Sequence, residues 1–180
     1  IPAKYFHPEQ VEPLCVVNTP FPPDDGSVGY ARGVAFSKSW DRATTDAAIE
    51  ITEFLVENLN RYSGARDDDE NRQDKLISFA ERWVSHAFRR PLTEDQKQFF
   101  VRQWFESAPD EETAIRRIAL LTFKSPRFLY QDWTPEEVDD FDVASRLSYG
   151  LWDSLPDQEL MKKAEAGRLG DLCDIEDQAK

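Results

Sequence analysis

Residues 75–93, KLISFAERWVSHAFRRPLT, decide how most of this chain folds. Apolar side chains recur there at intervals of three and four residues, which is the period of an amphipathic helix. Arg89 and Arg90 follow at the negative end of that helix, and the next residue is a proline, which cannot continue it. The stretch therefore predicts one helix, a stop, and a second helix that opens at Thr93.

The same period continues on both sides of this stretch. Thr93 and Gln96 have the spacing of a capping box. Thr44 or Thr45 is predicted as the N-cap of an earlier helix, and Asp140 as that of a later one. Because the connections are short, we expect a mainly α, bundle-like array of antiparallel helix pairs. Helices are predicted over 43–63, 75–88, 93–107, 140–151 and 156–167. A further helix is predicted after Pro109, with an apolar stripe over 115–122 and its end by Ser125-Pro126, followed by an aromatic connector over 128–133.

The N-terminal part has a different composition. Six of the 11 prolines lie within the first 23 residues, which predicts an irregular arm. Residues 28–36 are compatible with a short strand. The predicted organisation is therefore an arm plus helix over 1–62, an acidic linker over 63–74 and a helical domain over 75–180. That domain ends inside what reads as a beginning helix, so we expect it to be truncated and the chain to be a piece of a longer protein.

Composition and charge exclude several classes of function. With 180 residues and 12% aromatic side chains, the chain can bury a core. Its 35 acidic and 22 basic residues give a net charge of −13, which repels phosphate backbones and anionic lipid surfaces. No apolar run approaches the ~20 residues that span a bilayer. We therefore expect neither a nucleic-acid partner nor a transmembrane helix.

Cysteine and histidine motifs are scarce. Cys15 and Cys173 are the two cysteines, and neither lies in a CxxC or CxxCH motif, so we expect no zinc site, iron–sulfur cluster or haem attachment here. The two thiols form one disulfide if the chain ends meet, or remain isolated. Neither common nucleotide-binding glycine motif is present. The sequence thus contains no catalytic motif and predicts no resident metal or cofactor.

Four arginines are the candidates for anion binding or docking. A guanidinium binds a carboxylate in a bidentate manner. In so acidic a chain we expect the partners to be its own acids, for example Asp140 or Asp142, so that the pairs fix how helices dock. The alternative is an anionic ligand or a haem propionate. The four candidates are Arg89, Arg90, Arg127 and Arg146.

Both histidines have a functional and a structural interpretation. His86 lies beside the arginine pair and is a general base if a partner acid and a cleft accompany it. A histidine that is on the helix surface or half-buried is the favoured interpretation. His7, in the proline-rich arm, is a candidate ligand for a metal or for the haem of a partner, although no second ligand is visible.

Acids and tryptophans offer a carbohydrate-related alternative. Asp139 and Asp142 are spaced to share a helix face, as the carboxylate pair of a glycosidase requires. Helix capping is the favoured explanation for the acids of this part of the chain, with Asp140 as an N-cap and Asp157 in the first turn of a later helix. Trp40 and Trp133 lie in predicted connectors and are the tryptophans best suited to stack on a sugar, whereas the other three are expected in the core.

Three phrases support a family resemblance. They are FAER with AFRRPLT over 79–93, LLTFKSPRFLY over 120–130, and DFDVASRLSYGLW over 140–152. In this order they resemble helical domains of unknown function in large secreted multidomain proteins of planctomycetes and myxobacteria, which often carry a planctomycete-type cytochrome c module. The resemblance covers about 75–175, and 20–62 look more faintly like the preceding domain of such proteins.

The resemblance implies a context and no catalytic residue. It implies an exported protein, periplasmic or extracellular, with further domains and a c-type haem in a partner segment. The chain itself lacks a haem-attachment motif, and its short acidic stretch replaces an insertion found in such proteins. The first hypothesis is therefore a structural or interaction segment that packs against other domains or subunits. The alternative is a part of a cytochrome-associated oxidoreductase whose haem lies outside this chain, and carbohydrate binding ranks third.

Overall fold

The computed structural model describes residues 17–22, 37–130, 138–152 and 154–170. The chain divides into two compact units, Ile1–Asn58 and Leu59–Lys180. The described residues form helices and no strands, which confirms the prediction of a mainly α protein. Several sequence predictions lie outside the described residues: the strand over 28–36, His7, Cys15, Cys173 and Trp133.

Nine α-helical segments lie in the described residues. None of them is both long and apolar enough to cross a membrane. A π-helical turn, Gln98–Arg102, joins α4 to α5 without a break. The segments are α1 Lys38–Glu57, α2 Leu59–Ser63, α3 Arg72–Ala87, α4 Glu94–Lys97, α5 Gln103–Ser107, α6 Glu111–Phe123, α7 Pro126–Leu129, α8 Asp140–Trp152 and α9 Gln158–Glu165.

Helix α1 in the first unit begins earlier than predicted. Its N-cap is Ser37, whose hydroxyl accepts a hydrogen bond from the backbone N–H of Trp40 at 3.1 Å. The prediction of Thr44 or Thr45 was wrong, because both hydroxyls donate instead to the carbonyl of Asp41 one turn back. The helix predicted over 43–63 is divided, because α1 ends at Glu57 with Asn58 as its C-cap and the separate helix α2 covers Leu59–Ser63.

A short extended segment is attached to α1 through one carboxylate. Glu50 accepts hydrogen bonds from the backbone N–H and the side-chain amide of Asn18, both at 2.8 Å. It also accepts from the backbone N–H of Thr19 at 3.0 Å and from its hydroxyl at 2.8 Å. These bonds, the Asn18 backbone bond foremost, lower the pKa of Glu50 to about 2.

Acid should release this segment in a defined range of pH. A carboxylate with a depressed folded-state pKa stabilises the fold above its ordinary pKa of 4.5, and the effect is lost as the pH falls through about 2. We expect the amide NMR signals of Asn18 and Thr19 to shift only near that lower value. Glu50→Gln should remove the transition, whereas Glu57→Gln, on the same helix, should retain it. A midpoint near 4.5 in the unmodified protein would contradict this assignment.

The acidic stretch is a hydrogen-bonded connection inside the second unit. Asp69 accepts from the backbone N–H of Arg66 and from Lys75 Nζ, both at 2.7 Å, and the bond from Lys75 is the main cause that lowers the pKa of Asp69. Asp67 pairs with Arg72 at 2.8 Å. The stretch predicted as a linker over 63–74 therefore joins α2 to α3, and the observed division between units lies before it.

The main core of the second unit lies between α3, the π-helical turn and α6. Edge-to-face aromatic contacts connect these elements, with ring centroids 5.3 Å apart for Trp83 and Phe123 and 4.9 Å apart for Phe88 and Phe100. The predicted capping box at Thr93 is present and starts α4. Fully buried side chains of this core include Leu76, Val84, Val101, Ile115 and Ile118.

Helix α7 replaces part of the predicted connector. Residues 128–133 were predicted as an aromatic connector, but Pro126–Leu129 is helical. Its N-cap is Ser125, whose hydroxyl accepts from the backbone N–H of Arg127, and the proline occupies the first turn, where its missing N–H is no disadvantage. The chain thus makes one more helical turn before position 131.

Helices α8 and α9 share a hydrophobic cluster of their own. Ala144, Leu160, Ala164 and Leu169 are its buried members. The N-cap of α9 is Asp157, whose carboxylate accepts from the backbone N–H of Leu160 at 2.8 Å. Partly buried side chains that pack against the cluster are Phe141, Val143 and Leu147.

The N-cap of α8 differs from the predicted one. Asp139 Oδ1 accepts from the backbone N–H of Asp142 at 3.0 Å, and Asp142 Oδ2 accepts from the backbone N–H of Asp139 at 3.1 Å. This reciprocal pair is a capping box, so the prediction of Asp140 as N-cap was wrong. Asp140 instead accepts from the backbone N–H of Leu169 at 2.8 Å and ties the turn after α9 to the start of α8.

Candidate functional site

The end of α3, which we call the arginine corner (Arg89 and Arg90), has an unusual backbone. The N–H of Arg89 donates to the carbonyl of His86 at 3.0 Å, and the N–H of Arg90 donates to the carbonyl of Ser85 at 3.2 Å. This is the Schellman pattern, whose left-handed position is usually glycine. Here that position is Arg89, with φ at 58°.

Helix α9 ends with the same pattern and supplies an internal comparison. The N–H of Gly167 donates to Ala164 and the N–H of Arg168 donates to Lys163, each at 3.1 Å. The left-handed residue there is Gly167, with φ at 65°. Because a left-handed L-residue costs about 1–2 kcal/mol, the side chain of Arg89 must contribute something that glycine cannot.

That contribution is a set of bonds to the end of α7. The buried guanidinium of Arg89 donates to the carbonyls of Arg127 at 2.7 Å, Tyr130 at 3.1 Å and Phe128 at 3.3 Å. Carbonyls at a helix C-terminus lack partners within the helix and carry its negative partial charge. Arg89 therefore acts as a cap for α7 from another helix, and its Cζ atom also lies 5.8 Å from the ring centroid of Tyr149 in α8.

Arg90 connects the corner to α8. Its Nη2 atom lies 2.8 Å from Asp142 Oδ1 and 3.2 Å from Asp139 Oδ1, and its Nη1 atom lies 3.2 Å from Asp139 Oδ2. The two acids are those of the α8 capping box, and Asp142 is buried. Of the two acids named from the sequence, Asp142 binds Arg90, whereas Asp140 binds the backbone of Leu169.

The other two predicted cations, Arg127 and Arg146, lie on α7 and α8. Arg127 is half-buried on α7 and meets Arg89 through its backbone carbonyl. Arg146 is exposed on α8. Since the guanidinium groups of Arg89 and Arg90 already have intramolecular partners, the four arginines do not converge on one anion site in the described residues.

A cleft of about 530 Å³, which we call the seam cleft, lies beside the corner. One wall comes from α3, the 91–92 turn and α4, and the other from the start and middle of α9. Ser85 fixes the first wall, because its hydroxyl donates to the carbonyl of Arg90 at 3.0 Å and accepts from the N–H of Leu92 at 3.2 Å. The lining residues include Arg82, His86, Pro91, Leu92, Met161, Lys162 and Glu165.

Charged groups on the first wall form a network. Arg102 Nε lies 2.7 Å from Glu81, and this hydrogen bond is the main cause that raises the pKa of Arg102. Glu94 binds both Arg102 and Lys97, and the hydrogen bond from Lys97 is the main cause that lowers the pKa of Glu94. Glu81 and Lys97 face the cleft with their charges already compensated.

His86 lies in the seam cleft and is exposed. Among the described residues no hydrogen-bond partner orients its imidazole, as a general base would require. The described part of the chain also contains no group of three His, Cys, Asp or Glu side chains arranged to hold a metal ion. Among the described residues, His86 therefore has no partner acid with which it could act as a general base.

Sequence reasoning missed the role of Ser85, the partners of Arg89 and the pairing of α3 with α9 across the cleft. Partners of charged side chains are predicted from opposite charges in the sequence, and hydroxyl or carbonyl partners carry no charge. One signal was available: the stop after α3 has no glycine or asparagine, which marks an unusual helix end.

Comparisons with known proteins add one finding. Residues 138–180 match the family model described as PSD4, a protein of unknown function (DUF1592). The match begins just before α8 and includes the α8–α9 pair. No curated protein and no solved structure matches the chain. The comparison supports a domain of unknown function in this part of the chain.

Replacing Arg89 tests its role as a cap for α7. Arg89→Gly relieves the left-handed backbone but removes charge-assisted hydrogen bonds, which contribute about 1.5–3 kcal/mol each. We expect a net loss of at least about 2.5 kcal/mol in the free energy of unfolding by urea, because three such bonds exceed the relieved strain of about 1–2 kcal/mol even at the low end of their range. Arg89→Lys should also destabilise, since an ammonium cannot reach several carbonyls as a planar fork does.

Gly167→Ala is the matched control for this prediction. It adds a side chain at the equivalent left-handed position of α9 without removing any side-chain bond, and no atom lies within 4 Å of the added Cβ. Its cost should be limited to about 1–2 kcal/mol of backbone strain. An Arg89→Gly protein as stable as the unmodified protein would show that the guanidinium bonds contribute no more than the relieved strain of about 1–2 kcal/mol, and would contradict this prediction.

Proposed function

We propose that this chain is a helical interaction segment of a larger exported multidomain protein and packs against other domains of that protein. The arginine corner supports a structural role. Arg89 and Arg90, the cations best suited to hold an anion, bind carbonyls and acids of the same chain. They position α7 and α8 relative to α3.

The observation that carries the proposal is an exposed apolar pair at the end of α8. Leu151 is 43% exposed and Trp152, its neighbour, is 46% exposed, so the prediction that Trp152 lies in the core was wrong. Tryptophan is enriched among the residues that dominate interface energies. We define this pair as the α8 contact surface and assign to it a second domain of the same protein. The family match over this part of the chain is consistent with a multidomain setting.

A second candidate follows from the resemblance of the three sequence phrases. In it, the larger protein is a periplasmic oxidoreductase associated with a c-type cytochrome. The haem would lie in a partner segment and this chain would shape the docking surface. The order of the three sequence phrases supports this candidate. The haem chemistry in it belongs to the partner segment and assigns no role to the side chains described above.

Photo-crosslinking in the natively purified larger protein tests the first proposal. A photoreactive phenylalanine analogue at position 152 should form cross-links to a segment outside residues 1–180, because the α8 contact surface is covered there. The same analogue at Glu112, an exposed position on α6, is the control and should give few. Cross-links at 152 that remain within this chain would contradict the proposal. A Soret band in the same material would support the second candidate, and colourless material would contradict it.

A further inference from the structure

We propose that Pro20-Phe21-Pro22, which we call the proline segment, docks into a groove lined by aromatic side chains on a partner domain. The proline segment lies in the first unit, whereas the α8 contact surface lies in the second. The two surfaces share no residue, so either proposal can fail while the other holds. The backbone of the segment, its attachment to α1 and its exposure support the proposal.

The backbone of the proline segment is held extended by its covalent structure. A proline ring fixes φ at about −65°, and a residue that precedes a proline is kept out of the helical region. Pro20 and Pro22 therefore restrict Thr19 and Phe21 as well as themselves. The structure accordingly has neither helix nor strand over 17–22. Such a chain loses little conformational entropy on binding, and aromatic-lined grooves recognise proline-rich segments for this reason.

Glu50 attaches the segment to α1 at a fixed point. Its carboxylate accepts hydrogen bonds from the backbone N–H and the side chain of both Asn18 and Thr19, at distances from 2.8 to 3.0 Å. The chain therefore leaves the surface of α1 directly before Pro20. A segment that is held at one end is partly preorganised, which lowers the entropy that it loses in a complex.

The proline segment presents apolar side chains to solvent. The ring of Phe21 is 51% exposed, and Pro20 is exposed as well. Val17 and Ile49 are also exposed, and each is the sequence neighbour of a residue in the attachment to α1. Transfer of these side chains from water into an apolar groove would be favourable, and an aromatic groove suits the ring of Phe21 best.

Charges beside the attachment point favour a groove with a basic rim. The groups that bind Glu50 are all neutral and no described cation pairs with it, so its carboxylate keeps its negative charge. Asp46 and Glu53 lie four residues before it and three after it, on the same face of α1. Arg42, which pairs with Asp46 at 3.7 Å, lowers the total but does not cancel it. These three acids and one cation leave a net negative charge, which attracts lysine or arginine on a partner.

Photo-crosslinking from the proline segment in the larger protein tests the proposal. A photoreactive phenylalanine analogue at position 21 should form cross-links to a segment outside residues 1–180 that contains tryptophan or tyrosine near lysine or arginine. The same analogue at Phe99 is the matched control and should give few, because that residue is 53% exposed but lies in a π-helical turn without prolines. Equal yields at the two positions would show that exposure alone produces the cross-links. That result, or cross-links at 21 that remain within this chain or reach a segment without aromatic residues, would overturn the proposal.

Two further changes test whether the attachment and the prolines matter. Glu50→Gln weakens the attachment, and the double variant Pro20→Ala with Pro22→Ala loosens the backbone. Each should lower the cross-linking yield at position 21 at least about twofold, because a loosened segment must be ordered again when it docks. Glu57→Gln, on the same helix, and Pro109→Ala, at an exposed proline of the second unit, are the controls and should retain the yield. Unchanged yields in both test variants would contradict the proposal, whereas cross-links at position 152 report separately on the α8 contact surface.

Discussion

A buried guanidinium in a left-handed turn is the constraint on which the second unit depends. Arg89 has the left-handed backbone conformation that Gly167 has at the end of α9, where the hydrogen-bonding pattern is the same. The strain is compensated by bonds to three carbonyls at the end of α7. Arg90 is the next residue in the same turn, so the backbone conformation of Arg89 also directs the Arg90 side chain. The guanidinium of Arg90 reaches the capping box of α8. One turn thus sets the positions of α7 and α8.

This arrangement explains why the second unit contains two hydrophobic clusters and a cleft between their elements. In the main core, α3 and α6 pack through an edge-to-face aromatic contact. In the α8–α9 cluster, a hydrogen bond from the backbone N–H of Leu169 to Asp140 connects the turn after α9 to the start of α8. Polar contacts from Arg90 join the two parts. The cleft of about 530 Å³ lies between elements of these two parts.

Sequence periodicity and capping chemistry predict the helices well because both are local. The capping box at Thr93 and the helix that begins after Asp157 are examples. The start of α1 was misplaced because several hydroxyl residues compete for one cap, and only the structure shows that Ser37 reaches it. At the site, opposite charge predicted Asp140 or Asp142 as a partner of the arginines, and Asp142 binds Arg90. Nothing in the sequence indicated that Arg89 would bind carbonyls of a distant helix, since every residue has a carbonyl.

A double-mutant cycle between Arg90 and Asp142 tests the account most directly. The free energy of unfolding would be measured for the unmodified protein, Arg90→Gln, Asp142→Asn and the double variant. If the arginine corner holds α8 in place, each single variant leaves an unpaired group near a buried position. The two effects should then couple by about 1–3 kcal/mol. Effects that add to within about 0.5 kcal/mol would show that the two residues act independently, and would contradict the central role of the corner.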